Sequence, residues 1–417
     1  MSGGDKAPRV VEDLFGIVQI LNDGSIVRGD EAVLRQKATY PDVPGVQWKD
    51  VVYHAVHGLR ARVYRPASSP PLAGRSSKLP VLVYFHGGGY CIGSYAQPPF
   101  HSFCLRAAAE LPAVVLSVQY RLAPEHRLPA AIEDGVYFLT WLHGQAGGGA
   151  DPWLAESADF ARTFISGVSA GANLAHHVAV QLASAQLAVS SVRVVGYVLL
   201  SAFFGSAERT AAEVDPPPDV SLTVDMSDQL WYMSLPVGAT RDHPVANPFG
   251  PDSPSLAVVD LPPALVVVPG SDVLRDHVRG YAARLTEMGK TVEVVEFAGE
   301  QHGFSVLQPF GEAADELMRV LRRRFCLAAS ILLRQGFLWS PPLAASTLLR
   351  HEDIRQDGLG LEGSRDTLRS LTSHWARSVI IDMDAGVRER SSFTVYVGAD
   401  TTGRFVSSTA RVMAFRL

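Results

Sequence analysis

The chain has 417 residues, 47% of them hydrophobic and 19% charged, with a formal net charge of -5. That length supports one large core or two ordinary ones, and that composition excludes a disordered or fibrous chain. The slight acidity, with no block of like charge, gives no electrostatic reason to expect nucleic acid or an anionic membrane as partner.

The opening stretch MSGGDKAPRV lacks the basic-then-apolar pattern of a signal peptide. No apolar run reaches the roughly 18–20 residues that span a bilayer; the strongest, Val194–Phe204, reads as a buried strand. Cys91, Cys104 and Cys326 form neither a metal spacing nor an even disulfide framework. The expectation is a cytoplasmic protein with reduced thiols, the nucleus being a second candidate compartment.

Leu59–Arg65 alternates with period two and predicts a half-solvated antiparallel strand near a sheet edge. A polar loop, Pro70–Pro80, leads to Val81–Phe85, and Ala113–Val118 follows. Both are continuous β-branched and aromatic runs, as expected of strands covered on both faces. At the exit of the first stands His86-Gly87-Gly88-Gly89-Tyr90, whose glycines can lie flat enough to aim backbone N–H groups at an oxyanion. Taken alone the motif also suits a flexible strand exit or a phosphate cradle, but no Gly-Lys-Ser/Thr or G-x-G-x-x-G accompanies it. His86 is expected to order this loop rather than titrate. Tyr120–Glu125 precedes a helix predicted over Pro129–Leu142, and Arg121, Glu125 and Asp134 are expected to form a buried ion-pair network that holds the glycine loop.

Phe160–Ile165, the next strand, runs into Gly167-Val168-Ser169-Ala170-Gly171, and Ala172–Leu187 continues as a helix. A serine between two glycines at a strand-to-helix junction is what a nucleophile elbow requires. The backbone turns so sharply that flanking side chains would clash, and the hydroxyl is lifted above the sheet. The N–H of Ala170 joins those of the glycine loop as an oxyanion donor. His176 and His177, one turn or more away on the helix, are expected to be packed or capping. Val194–Leu200 is a strand, and the long stretch from Phe204 to Leu261, rich in Pro, Asp and aromatics, predicts a helical cap over an active site.

Leu265–Val268 is followed by Gly270-Ser271-Asp272-Val273-Leu274-Arg275-Asp276 and a helix over His277–Met288. Val292–Phe297 is followed by Glu300-Gln301-His302-Gly303-Phe304 and the helix Glu312–Phe325. An acyl-transfer serine needs a base and an acid that orients the base. Asp272, near its strand end, is the better acid; Asp276, inside the helix start, is the rival and can cap instead. Serine, aspartate and histidine in that chain order, each on a loop after a strand, are the order of an α/β-hydrolase. The repeated strand-helix units predict an α/β fold with a mostly parallel central sheet flanked by helices. The candidate catalytic residues are therefore Ser169, Asp272 and His302, and the candidate oxyanion hole is Gly87, Gly88, Gly89 and Ala170. This chemistry needs no metal and no organic cofactor. Residues 1–325 are expected to be the catalytic domain, and 326–417, without strand-helix rhythm, an atypical and largely disordered extension.

Together these motifs, with Asn247-Pro248-Phe249-Gly250-Pro251, resemble the plant carboxylesterases, the branch of α/β-hydrolases related to hormone-sensitive lipase. The likeness runs from about Val10 to Phe325. It implies a nucleophilic Ser169, His302 as base and then acid, and Asp272 orienting it. Gly88, Gly89 and Ala170, joined by Gly87, would be the oxyanion donors. A cap built from the N-terminal segment and about 204–261, a small-molecule ester as partner, and a monomer or homodimer are also implied. Val11-Glu12-Asp13 and Leu235–Pro251 look most like members that hydrolyse strigolactone-type hormones. Gibberellin receptors of the same family keep the serine but replace the histidine, so an intact His302 points to hydrolysis. A cap stretch, Val224–Tyr232, without an arginine to meet a ligand carboxylate points the same way, as does Ser169 where the related isoflavanone dehydratase carries threonine. Val168 stands where many relatives have aspartate and Ala172 where they have glycine.

Overall fold

The continuous apolar runs become the middle of one sheet because both of its faces are covered. The computed structural model describes residues 8–31, 40–67, 78–111, 113–148, 151–184, 190–337, 393–399 and 405–410. The chain divides into two compact units, Met1–Ser340 and Pro341–Leu417.

In the first unit, β1 (Val10–Leu14), β2 (Val18–Leu21) and β3 (Ile26–Arg28) form a small antiparallel sheet. β4 (Val46–His54) and β5 (Leu59–Pro66) follow. From there strands and helices alternate: β6 (Leu79–Phe85), α1 (Pro98–Glu110), β7 (Val114–Val118), α2 (Ala130–Ala146), α3 (Pro152–Ser157), β8 (Ala158–Val168), α4 (Ala170–Ala183) and β9 (Val194–Leu200). α5 (Ala211–Val214) and α6 (Val224–Ser234) precede β10 (Ala264–Ser271), α7 (Arg275–Glu287), β11 (Val292–Gln301), α8 (Phe304–Leu307) and α9 (Glu312–Phe337). Eight strands share one sheet in the order β11-β10-β9-β8-β6-β7-β5-β4. β4 and β5 are antiparallel to their neighbours and the remaining pairs are parallel.

Along β6, Val81, Val83 and Phe85 enter one core while Leu82 and Tyr84 enter the other. Neither face meets water, so no polar position is tolerated and the run reads as unbroken apolar sequence. The same reasoning corrects the expectation for β5. It is antiparallel and one strand in from the edge, but Ala61–Tyr64 are buried rather than half-solvated. Arg62, which produced the alternating look, pairs with Asp50 at 2.7 Å and lies 4.0 Å over the Trp48 ring. The exposed edge belongs instead to β4, which the sequence reading did not find.

The chain passes from β6 to β7 on one side and then to β8 on the other, so β6 and β8 flank the point where strand order reverses. Parallel sheets open a crevice at such a point, at the C-terminal ends of the strands. The register Phe85↔Gly167 keeps those two ends level. The glycine loop and the elbow therefore leave the sheet side by side.

The stretch from Phe204 to Leu261 carries the helices α5 and α6, and the N-terminal segment forms the β1–β3 sheet. The last helix runs past Phe325 to Phe337, and in the second unit β12 (Phe393–Ala399) pairs antiparallel with β13 (Phe405–Ala410). The remainder of the expected disordered extension lies outside the described residues.

Candidate active site

Ser169 sits at φ +55° and ψ -122°, a left-handed conformation rare for a side-chain-bearing residue. The flanking glycines make it attainable. A Cβ at Gly167 would stand 2.2 Å from the Gly171 carbonyl oxygen, and one at Gly171 would stand 2.1 Å from that of Phe85. The elbow is locked by its own backbone: Ser169 N–H donates to Leu200, and its carbonyl accepts from Ala172, Asn173 and Phe203. The strain is thus carried by a residue whose own backbone N–H and carbonyl are both bonded, at the head of α4.

The Asp272 and His302 loops close over this point. His302 Nε2 lies 2.8 Å from Ser169 Oγ and its Nδ1 lies 2.7 Å from Asp272 Oδ2. The Asp272 side chain is fully buried, and its other oxygen accepts the Leu274 N–H at 2.9 Å. A buried carboxylate held on both oxygens keeps the imidazole in one orientation and tautomer. Asp276 goes elsewhere. It neither reaches His302 nor caps its own helix, but accepts the Ala212 N–H of α5 at 2.9 Å and pairs with Arg275 and Arg279.

Beside the elbow, a Cβ at Gly87 would stand 3.2 Å from that of Ser169. Gly88 and Gly89 both take positive φ, +114° and +58°, which turns successive amides in a way other residues resist. Among the described residues, the N–H groups of Gly88, Gly89 and Ala170 have no hydrogen-bond partner within the protein. Free amides at a nucleophile are what a developing oxyanion requires.

The loop is stiffened from below. His86 is buried and stacks on Tyr120 at 4.2 Å, and burial pushes its pKa down to about 4. The neutral ring places Nδ1 2.8 Å from the Gly87 carbonyl, and Tyr120 OH donates to the His86 carbonyl. The expected ion-pair network is split in two. Arg121 binds the buried Asp134, whereas Glu125 pairs with Arg28 of β3, which also donates to the Cys91 and Ala123 carbonyls. His176 and His177 are packed, as expected: they meet Tyr281 OH at 2.8 Å and the Val245 carbonyl at 3.0 Å. Burial lowers both pKa values, that of His177 to about 4.

Sequence reasoning missed Asn173. Its amide donates to the Phe203 and Val245 carbonyls and accepts from Tyr90 OH at 2.6 Å, so one side chain joins elbow, glycine loop and cap. A buried amide in the apolar run Ala170–Leu174 was the available signal, since such a group persists only when bonded. The cap lies directly on the glycine loop, for a Cβ at Gly89 would fall 2.5 Å from the Leu230 side chain of α6. Gln229 of the same helix donates to the Asp13 carbonyl of β1, bringing in the N-terminal sheet. A separate cavity of about 300 Å³, lined by residues including Asp228, Trp231 and Arg241, contains none of Ser169, Asp272 and His302.

Residues 82–306, which hold the elbow and both partner loops, match the α/β-hydrolase fold family. The chain is 36% identical over 298 residues to a probable carboxylesterase of Arabidopsis thaliana, covering 69% of this chain and 86% of that protein. The chain belongs to the carboxylesterase family of α/β-hydrolases. A family relative of different description, a gibberellin receptor of Oryza sativa subsp. japonica, is 35% identical over 305 residues, 68% of this chain and 83% of the receptor. Among solved structures, an esterase of Pyrobaculum calidifontis superposes with a TM-score of 0.57 at 30% identity, covering 68% of this chain and 85% of that one. Among the described residues, no helix of this carboxylesterase-family chain is long and apolar enough to cross a membrane.

Proposed function

We propose that this carboxylic ester hydrolase cleaves esters of small, fairly apolar molecules through an acyl-enzyme on Ser169. His302 Nε2 takes the hydroxyl proton as Oγ attacks the ester carbonyl carbon. The oxyanion is held by the N–H groups of Gly88, Gly89 and Ala170, with Gly87 beside them. The alcohol leaves with the proton from His302. Water, deprotonated by the same ring, then releases the acid, while Asp272 stabilises the imidazolium throughout. General acid–base work of this kind contributes about 10²–10⁴-fold, and each oxyanion donor on the order of 10²–10³ in turnover.

The observation that carries this reading is the unbroken hydrogen-bond chain from Ser169 through His302 to Asp272. It also favours hydrolysis over the receptor alternative, because a hormone receptor without turnover has no use for a base on its serine. Substrate identity is a finer step, and plant hormone or specialised-metabolite esters, strigolactone-type esters among them, are the class proposed. The test is hydrolysis of a panel of p-nitrophenyl esters and a strigolactone, read by product mass, with Ser169→Ala as control. Tight binding of a gibberellin without turnover of any ester would favour the receptor reading instead.

A further inference from the structure

His302 is carried by a poor support. β11 is the edge of the sheet, with β10 on one side only. Its register also slips just before the histidine: Pro269 pairs with Phe297, but Ser271, two residues on, pairs with Gln301, four residues on. Two extra residues bulge out of β11 there, so the ladder does not fix the backbone at His302. A base must be held within about 0.5 Å of its productive position for the proton transfer to be efficient.

Part of the missing support comes from Ser201 at the β9 exit, whose Oγ accepts the Gly303 N–H at 3.4 Å, and the rest comes from the cap. Gln301 Nε2 donates to the Asp219 carbonyl at 2.7 Å, and Ser221 Oγ donates to the His302 carbonyl at 3.1 Å. The two bonds bracket the histidine from the loop between α5 and α6. That loop is itself anchored. Asp219 is held at φ +55°, Leu222 is buried, and Thr223 Oγ1 caps α6 by accepting the Met226 N–H. Upstream, α5 is tied to α7, the helix after the Asp272 loop, through Glu213–His277 and the Asp276 bond to Ala212. One cap segment therefore spans from the loop of Asp272 to the loop of His302.

We propose that Asp219–Ser221 is a positioning element for His302, with Ser221 as its principal residue and Gln301 as its counterpart on β11. This rests on the assignment of His302 as the catalytic base. Ser221 does not meet substrate; it sets the backbone from which the imidazole is presented. A change that displaces the Asp219–Ser221 loop then lowers turnover through the histidine.

The test is steady-state kinetics on p-nitrophenyl acetate for Ser221→Ala, Ser221→Thr and Gln301→Ala, beside His302→Ala. One hydrogen bond felt by the barrier is worth about threefold to tenfold in rate. Ser221→Ala and Gln301→Ala are expected to lower kcat by about that factor with KM and melting temperature unchanged, and Ser221→Thr, which keeps the hydroxyl, to recover the wild-type kcat. Unchanged kcat in both alanine variants, or a rise in KM alone, overturns the proposal. Full activity in His302→Ala would overturn the base assignment itself, a separate outcome that does not depend on Ser221.

Discussion

His302 Nε2 meets Ser169 Oγ at 2.8 Å across 133 residues of sequence. Because the imidazole is already braced by Asp272, the serine proton has one defined acceptor. Ser169→Ala removes the nucleophile and leaves the base without its substrate proton. Turnover of p-nitrophenyl acetate is expected to fall by at least about 10³-fold, with His302→Ala close behind, since residues that act as a unit fail together. Far-UV circular dichroism should be unchanged in both variants. A Ser169→Ala protein at the wild-type rate would end the acyl-enzyme reading.

The elbow predicts a stability effect separate from chemistry. A Cβ at Gly171 would fall 2.1 Å from the Phe85 carbonyl oxygen and 2.4 Å from that of His86. Both are backbone atoms of the β6 exit, so neither can rotate aside. Gly171→Ala must push β6 from α4 and is expected to cost about 1–3 kcal/mol or more, as overpacking does. The urea midpoint should fall and turnover with it, because His86 opens the glycine loop. A midpoint equal to wild type would show that the two backbones separate freely.

Positions that bear on chemistry were legible where local sequence dictates local geometry. Ser169 between glycines, and Asp272 and His302 just past apolar runs, could be placed because a buried parallel strand leaves an unbroken hydrophobic signature and its exit is where function gathers. Elements that depend on distant partners were not legible. β4 mixes Trp48, Lys49 and Asp50 with valines, and only pairing with β5 makes it a strand. The β1–β3 strands are only three to five residues long, and Arg62 looked solvated because its partner Asp50 lies on the neighbouring strand. Glu125 was joined to Arg121 by nearness in sequence, whereas its true partner Arg28 lies 97 residues earlier.

Asn173 joins three parts of the site through one amide, and that gives a third prediction. Asn173→Ala leaves the Phe203 carbonyl and the Tyr90 hydroxyl buried without partners, while the Val245 carbonyl keeps His177. Each such group costs about 1–3 kcal/mol, partly relieved by local shifts, so a loss of about 2–4 kcal/mol is expected. Tyr90 ends the glycine loop, so kcat should fall more than KM changes. Asn173→Asp keeps the acceptor for Tyr90 but loses both donations, and should be no better than alanine in stability. A fully stable Asn173→Ala protein would mean the two groups find other partners.

Glu213 on α5 predicts how acid weakens the cap. Burial alone would raise its pKa, but His277 at 3.0 Å, the Thr210 N–H at 2.9 Å and Arg209 at 3.0 Å outweigh that and hold it at about 2. The folded value lies below the ordinary 4.5, so the stabilisation is fully present above about pH 4.5 and is lost as pH falls through 2. A depression of this size is worth about 3 kcal/mol. Glu213→Gln keeps the shape and removes the charge, so its urea midpoint should lie well below wild type at pH 7. At pH 3 the gap should shrink to about half, because wild type has by then surrendered much of the same term. An equal gap at both pH values would assign the loss to packing rather than to the carboxylate.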